Sequence, residues 1–150
     1  MADLEVEVAM GEGVRVPISA RAVRSAVLHV LRAEGRERGE ISITFLPDSE
    51  MTTLNRDYLG HDHATDVLAF ALHAPGEAPV GDVYVGAEQG ARQAGELGVD
   101  AGEELLRLAV HGTLHVLGYD HPDGDDRLDS EMFRRQEALL GEILRDISSG

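Results

Sequence analysis

Residues 104–121 read ELLRLAVHGTLHVLGYDH, and this stretch decides how the rest of the chain is organised. Residues 104–117 are mostly apolar, which predicts a helix that is buried over most of its surface. Asp100 predicts the start of this helix, with Glu103 as its partner in a capping box, and Gly118 predicts its end. An apolar helix of this kind must pack against other elements, so it favours a layered α/β domain.

Three histidines in this stretch have the spacing of a metal site. His111 and His115 lie four residues apart and therefore project from one face of the helix, one turn apart. His121 follows three residues after the turn at Gly118, where the reversed chain can bring it beside the other two. Three imidazoles around one point are the ligand set of a catalytic zinc ion with an open position for water. The pattern therefore predicts that these three histidines bind Zn²⁺.

The same spacing occurs in metzincin proteases, whose motif is His-Glu-x-x-His-x-x-Gly-x-x-His. Gly112 stands where those enzymes have the glutamate that acts as general base. A peptidase of that type needs the carboxylate to take a proton from the zinc-bound water, so its absence argues against peptide hydrolysis by this mechanism. We interpret Gly112 as opening space beside the metal.

Hydrophobic periodicity divides the rest of the chain into strands that alternate with helices, followed by two more helices. Strands are predicted at 4–8, 40–46, 66–72 and 82–85. Helices are predicted from Ser19 to about Glu34, from Asp48 to about Tyr58, over about 87–97 and over about 128–147. The nearly continuous apolar run at 66–72 predicts a strand covered on both faces. Together the elements predict one α/β domain over 1–150, with a small mixed sheet of about four strands flanked by helices.

Several motifs resemble the YbeY family of endoribonucleases, which mature ribosomal RNA. The motif HGTLHVLGYDH at 111–121 carries the resemblance, and roughly residues 40–140 follow the order of that family. The supporting residues are Leu54-Asn55, Tyr58, Thr65-Asp66-Val67-Leu68, Phe70, Gly81-Asp82-Val83-Tyr84, Met132-Phe133 and Gln136-Glu137.

The resemblance implies a zinc-dependent endoribonuclease that prefers single-stranded RNA and acts in 16S rRNA maturation and ribosome quality control. It implies ribosomal RNA and the ribosome, or ribosomal-subunit proteins, as partners. By position it assigns His111, His115 and His121 as the zinc ligands. The fold it implies is a small mixed sheet flanked by helices, with an architecture like that of the zinc metalloproteases.

The chain departs from this family at informative positions. An arginine usually follows the tyrosine of the central segment, and Leu59 occupies that position, while Ala69 and Ala71 replace a serine and a proline. The change at Leu59 removes a guanidinium suited to a phosphodiester. Arg56 lies three residues earlier on a neighbouring helical face, and we hypothesise that it acts as a substitute catalytic residue.

Two residues that precede His121 are further candidates. Asp120 is predicted to orient a metal ligand or accept a proton, and a supporting role behind the ligands or in the loop is the alternative. Tyr119 is predicted to donate a hydrogen bond to substrate, and a packing role is the alternative. The sequence leaves open whether a metal hydroxide attacks or the metal acts as a Lewis acid.

The charge balance restricts how this chain can bind RNA. It has 28 acidic and 13 basic side chains, a net charge of −15, and all of its basic residues are arginine. A broad basic face for nucleic acid is therefore excluded. Residues 21–38 reverse the balance locally, with five arginines against two glutamates, so Arg21 and Arg24 are candidate contacts to phosphate, with a solvated helix face as the alternative. Aromatic residues are scarce, which argues against a platform for base stacking.

Other features exclude whole classes of protein and keep two alternatives open. The chain has no cysteine, so disulfides, thiolate zinc sites and cysteine nucleophiles are excluded. Without a signal-peptide pattern or a long apolar run, we expect a cytoplasmic protein with no membrane partner. One alternative is a metallopeptidase with an unconventional base. The other is a non-catalytic factor associated with the ribosome, in which the metal is structural.

Overall fold

A computed structural model describes residues 3–60, 65–119 and 131–149, and it confirms an α/β fold with a four-stranded mixed sheet. The strands are β1 (Leu4–Met10), β2 (Gly39–Leu46), β3 (Val67–Ala71) and β4 (Val80–Gly86). The helices are α1 (Ala20–Ala33), α2 (Asp48–Leu59), α3 (Ala87–Leu97), α4 (Ala101–Val116) and α5 (Glu131–Ser149). No helix within these ranges is long and apolar enough to cross a membrane.

The sheet has the strand order β1-β2-β4-β3 and mixed strand directions. β1 pairs with β2 and β2 with β4 in parallel, whereas β3 runs antiparallel to β4. The helix between each pair of parallel strands allows the crossover that parallel pairing needs. As a result β3 lies at one edge of the sheet, with a partner strand on one side.

One face of the sheet carries the main core. Alternate residues of β2 and β4 point into it, among them Ile41, Ile43 and Phe45, and α1 and α4 pack on this face with aliphatic side chains, while α5 packs on these two helices. A smaller apolar cluster lies on the opposite face, where Met51 of α2 packs near Leu68 of β3. The two clusters hold the edge strand between α4 and α2.

Local signals set most of the helix ends as predicted. The hydroxyl of Ser19 accepts a hydrogen bond from the backbone of Ala22, and the Asp100 carboxylate accepts one from the backbone of Glu103. Gly35 and Gly98 follow α1 and α3 with φ of 75° and 71°, a region that favours glycine. The Glu103 carboxylate, however, pairs with Arg107 at 3.3 Å instead of closing the predicted capping box.

Two local predictions were wrong, and a third was confirmed only in part. Asp48 does not cap α2: Pro47 holds the cap position, and Asp48 is the first helical residue, with its N–H donating to Glu88. The run 66–72 is packed on both faces but is not fully covered, because Ala71 is exposed. Gly112 does not open space beside the histidines, because it is buried against the sheet.

Close packing explains the glycine at position 112. A Cβ atom placed there would lie 2.4 Å from Cγ1 of Val83 and 3.2 Å from Cγ2 of Val67. Gly81 plays the same part from the sheet side, since a Cβ there would lie 2.5 Å from Cγ1 of Val116. The two missing methyl groups let α4 lie directly on β4, beside the edge strand.

Candidate active site

His111 and His115 come together on the side of α4 that faces the edge strand. Their rings stack edge to face with centroids 4.6 Å apart, and the two Nε2 atoms are 3.0 Å apart. The helix alone produces this pairing, because residues four apart lie above one another on one face.

Each ring is held by an acceptor at its other nitrogen. Nδ1 of His111 lies 2.6 Å from Oε1 of Gln136, and Nδ1 of His115 lies 3.1 Å from the backbone carbonyl of Tyr119. The turn at Gly118, with φ of 103°, brings that carbonyl back over the end of α4. Because a carbonyl oxygen only accepts, these contacts favour a proton on each Nδ1, an arrangement in which the Nε2 lone pairs of two neutral rings face each other.

Two facing lone pairs are unfavourable unless a cation lies between them, so this donor set fits a metal ion. In a tetrahedral zinc site with Zn–N bonds of about 2.0–2.1 Å, two nitrogen ligands lie about 3.3 Å apart. The Nε2 separation in this structure is within a few tenths of an ångström of that value. Hydrogen bonds from Nδ1 to carbonyl groups are also the usual way in which a protein orients its histidine ligands.

The third predicted ligand is His121, which lies with Asp120 outside the described residues. Across 3–60, 65–119 and 131–149, no three His, Asp or Glu side chains come together in a way that suits a metal. The structure thus describes two of the three predicted ligands, and zinc binding stays a prediction.

A cleft of about 560 Å³ opens at the histidine pair. Its described walls are formed by Leu59, the stretch 66–71, His111, His115, Gly118 and Tyr119. Asp66 and Leu72 form backbone hydrogen bonds with β4, so Val67, Ala69 and Ala71 between them direct their N–H and C=O groups away from the sheet. The free edge of β3 therefore supplies backbone donors and acceptors along the cleft.

Leu59 lines this cleft and is 53% exposed, so the position at which the family usually has an arginine lies near the histidine pair. Arg56 is not among the described lining residues, and its Nε lies 3.5 Å from the Asp57 carboxylate. The structure thus brings Leu59 to the histidines but gives no contact between Arg56 and them. The role suggested for Arg56 stays a prediction.

The two arginines predicted to bind substrate lie away from this cleft. Arg24 donates from Nε to the carbonyl of Val6 at 3.2 Å, which ties α1 to β1. Arg21 lines a separate groove between α1 and α5, together with His29 and Asp146. Among the residues that the structure describes, neither arginine shares a cavity with His111 or His115.

Tyr119 lines the cleft, but its hydroxyl already has a partner. The hydroxyl donates to the Glu34 carboxylate at 2.6 Å, and Nε of Arg135 donates to the same carboxylate at 2.7 Å. The hydrogen bond to Glu34, helped by burial, raises the pKa of Tyr119 above its usual value. A hydrogen bond from this hydroxyl to substrate would have to replace the one to Glu34.

Behind the histidines lies a set of residues that sequence reasoning missed. Gln136 is 4% exposed, and its Nε2 donates to the Glu137 carboxylate at 3.0 Å. Arg107 donates two hydrogen bonds to that carboxylate, from Nε at 2.9 Å and from Nη2 at 3.3 Å. It also donates one to the Glu104 carboxylate at 2.6 Å. Burial lowers the pKa of Arg107, but the hydrogen bonds with Glu137 and Glu104 outweigh it and raise this pKa.

A signal for Gln136 was present in the sequence. The buried stripe of α5 is apolar at Met132, Leu139, Leu140 and Ile143, and Gln136 is the polar residue within it. A buried polar side chain on an apolar stripe requires a hydrogen-bond partner on the facing element. That requirement points to α4.

The low number of aromatic residues argued against a platform for base stacking, but it did not indicate that three of them lie together. Phe70, which lines the cleft, contacts Tyr58 and Tyr84 edge to face, with ring centroids 5.3 Å and 6.0 Å apart. Tyr58 is 66% exposed. Burial, and then the charges of Asp82 and Tyr58, raise the pKa of Tyr84. Half of the six aromatic residues of the chain thus cluster beside the histidine cleft.

Comparisons with known proteins agree with this geometry. The sequence profile described as Endoribonuclease YbeY matches residues 12–144. A relative from Pelotomaculum thermopropionicum named Endoribonuclease YbeY is 43% identical over 126 residues, which cover 79% of this chain and 82% of that protein. One of the same name from an Anaeromyxobacter species is 41% identical over 135 residues, covering 85% and 70%. The solution structure of TM1509 from Thermotoga maritima shares the fold, with a TM-score of 0.67 over 96% of this chain and 92% of that one at 24% identity.

Proposed function

Because this chain belongs to the Endoribonuclease YbeY family, we propose that it is a zinc-dependent endoribonuclease that cleaves single-stranded ribosomal RNA. The proposed setting is 16S rRNA maturation and ribosome quality control in the cytoplasm, with the ribosome or its subunit proteins as partners. The observation that carries the proposal is the pair of Nε2 atoms 3.0 Å apart, each on a ring whose Nδ1 is held by a carbonyl group.

In the proposed site, His111, His115 and His121 hold the zinc ion. When bound, the ion lowers the pKa of a water molecule towards ~7 and polarises a phosphoryl oxygen. Gln136 and the Tyr119 carbonyl keep the two described rings in the orientation that binding needs. Asp120, next to His121, is proposed to orient a ligand or accept a proton. The roles of these residues suit cleavage of a phosphodiester.

The other wall of the cleft supports RNA as the substrate. A single strand can place a base against Phe70, whose ring forms one side of the aromatic cluster with Tyr58 and Tyr84. The outward N–H groups of β3 can donate to phosphate or sugar oxygens. A duplex does not splay its bases in this way, which favours a preference for single strands.

The acidity of the chain makes the site depend on few positive groups. With a net charge of −15, RNA affinity is proposed to rest on the zinc ion, on a small set of arginines and on the ribosomal partner. Arg56 is the proposed catalytic guanidinium in place of Leu59. Arg21 and Arg24 lie on α1, away from the cleft, and are proposed as outlying phosphate contacts.

Among the described strands β3 pairs on one side only, and its other edge favours a second candidate, a metallopeptidase. An extended peptide can add to such an edge as a further strand, beside the histidine pair. Against this, position 112 is buried against Val83 and cannot hold the carboxylate that peptidases with this spacing use as a base.

A cleavage assay on single-stranded fragments of 16S rRNA tests the proposal. We expect cleavage by the zinc-loaded protein, loss of cleavage with a chelator and recovery when zinc is restored. His115→Ala should abolish cleavage, whereas His29→Ala should not, since His29 pairs with Glu142 at 2.7 Å and lies outside the cleft. Arg56→Ala should reduce the rate if Arg56 acts on the phosphodiester.

Three results would contradict the proposal. Cleavage that persists in chelator would remove the metal from the reaction. A folded, zinc-loaded protein with no activity on RNA would favour a non-catalytic ribosome factor. Hydrolysis of labelled casein but not of RNA would favour the peptidase.

A further inference from the structure

We propose that Gln136 is the positioning residue of His111, fixing the imidazole with Nδ1 protonated so that Nε2 is the metal donor. The proposal rests on the metal site proposed above, but its first measurement needs neither metal nor RNA.

The contact between the two side chains is short and shielded from water. Nδ1 of His111 lies 2.6 Å from Oε1 of Gln136, and Gln136 is 4% exposed. With the proton on Nε2 instead, the Nδ1 lone pair would face the oxygen, and two buried acceptors would be in contact. The contact therefore favours one tautomer of His111.

This argument requires that the oxygen of the Gln136 amide, and not its nitrogen, faces the histidine. The nitrogen faces the Glu137 carboxylate at 3.0 Å, and a carboxylate can only accept there. Arg107 in turn fixes Glu137 with two hydrogen bonds. A flip of the amide would place its oxygen against a carboxylate and its NH₂ against Nδ1.

Arg107 and Glu137 form a second contact between α4 and α5, next to the contact between His111 and Gln136. Arg107 and His111 are one turn apart on α4, and their partners Glu137 and Gln136 are adjacent on α5. The two contacts are consecutive links between α4 and α5. Gln136 thus acts through His111 and does not itself need to touch substrate.

The tautomer is measured first, by long-range ¹H–¹⁵N spectra of the metal-free protein above the ordinary imidazole pKa of about 6.5. We expect His111 to be protonated at Nδ1 in the parent protein and to become a mixture of tautomers in Gln136→Met. Gln93→Met is the matched control, since Gln93 of α3 bonds Asp66 and is not in the cleft.

Zinc affinity is measured second, by competition with a chromogenic chelator. We expect Gln136→Met to weaken binding about 10–100-fold and Gln93→Met to leave it unchanged. An Nε2–H tautomer in the parent protein, or unchanged tautomer and affinity in a folded Gln136→Met, would overturn the inference. A correct tautomer in a protein that binds no zinc would contradict the proposed function and leave the positioning role intact.

Discussion

The two walls of the histidine cleft are built on opposite principles. On the wall formed by α4, with α5 behind it, polar side chains are buried or partly buried and each is held by another, from Arg107 through Glu137 and Gln136 to His111. On the wall formed by α2 and β3, apolar side chains are exposed and the backbone of the edge strand faces outward.

This difference separates two tasks. A metal site needs ligands whose orientation is fixed before binding, and a buried network supplies that rigidity. A site for a flexible polymer needs accessible groups that tolerate different bases, and exposed aromatic rings with a free strand edge supply them. We therefore expect substitutions in the helical wall to change stability and those in the strand wall to change RNA binding.

Arg107→Met should give the largest loss of stability, because it breaks the helical wall at its centre. The substitution leaves the carboxylates of Glu104 and Glu137 without their cation, and the Glu104 side chain is 5% exposed. We expect the free energy of unfolding to fall by about 3 kcal/mol, measured by chemical denaturation.

Arg92→Met is the matched control for Arg107→Met. Arg92 pairs with Asp48 at 2.9 Å, but half of its side chain is exposed, so the loss should stay below about 1 kcal/mol. Equal losses in the two variants would contradict the distinction between a buried network and a surface ion pair.

Tyr119→Phe should have a smaller effect that depends on pH. It removes the hydrogen bond to Glu34, which contributes about 1 kcal/mol. Because the folded state raises the pKa of Tyr119, this contribution is present below the unfolded tyrosine value of about 10 and is lost as pH rises through the folded pKa. The free energy of unfolding, followed from neutral pH upwards, should thus fall less steeply at alkaline pH in the variant.

An absorbance titration of tyrosine provides the second measurement for Tyr119→Phe. The parent protein should show late titration of Tyr119 and Tyr84, and the variant should lose one of these two late steps. If Tyr119→Phe instead lost a titration step at the ordinary tyrosine pKa, this would contradict the hydrogen bond from Tyr119 to Glu34.

Leu59→Arg should change stability least, by about 0.5 kcal/mol or less, because Leu59 is half exposed on the open wall. It places a guanidinium in the cleft, so RNA should bind more tightly. The slope of log affinity against log salt should steepen by about 0.7 for one added phosphate contact. Fluorescence anisotropy with a single-stranded oligonucleotide measures both quantities.

Leu72→Arg separates a site effect from a simple change in net charge. Leu72 is 59% exposed just beyond β3 but is not one of the described residues that line the cleft. The same gain in affinity at both positions would mean that the cleft is not where RNA binds.

Sequence reasoning succeeded where the deciding interactions are local. The ends of α1 and α4 follow from Ser19, Asp100 and the glycines after them, and the four strands follow from alternating or apolar runs. The pairing of His111 with His115 follows from helical spacing alone. Each of these features depends on residues within a few positions of one another.

It failed where the partner lies far along the chain. The sequence pattern of an apolar run such as 66–72 does not distinguish a strand that is covered on both faces from one that lines a cleft at a sheet edge. From the sequence alone Gly112 is interpreted as opening space, because its close approach to Val83 is visible only in the structure. Gln136 meets His111 across 25 positions: its place on an apolar stripe signals a buried partner, but no local pattern identifies that partner as His111.

The position of Gln136 on α5 affects when, during synthesis of the chain, His111 acquires the side chain that orients it. Synthesis makes α4 before α5, so a nascent chain carries His111 and His115 before it carries the side chain that orients the first of them. The imidazole is held in its working tautomer once residues 131–149 have been made and have docked on α4. A nascent chain in which α5 has not yet docked on α4 therefore lacks the contact that we propose fixes the orientation of His111.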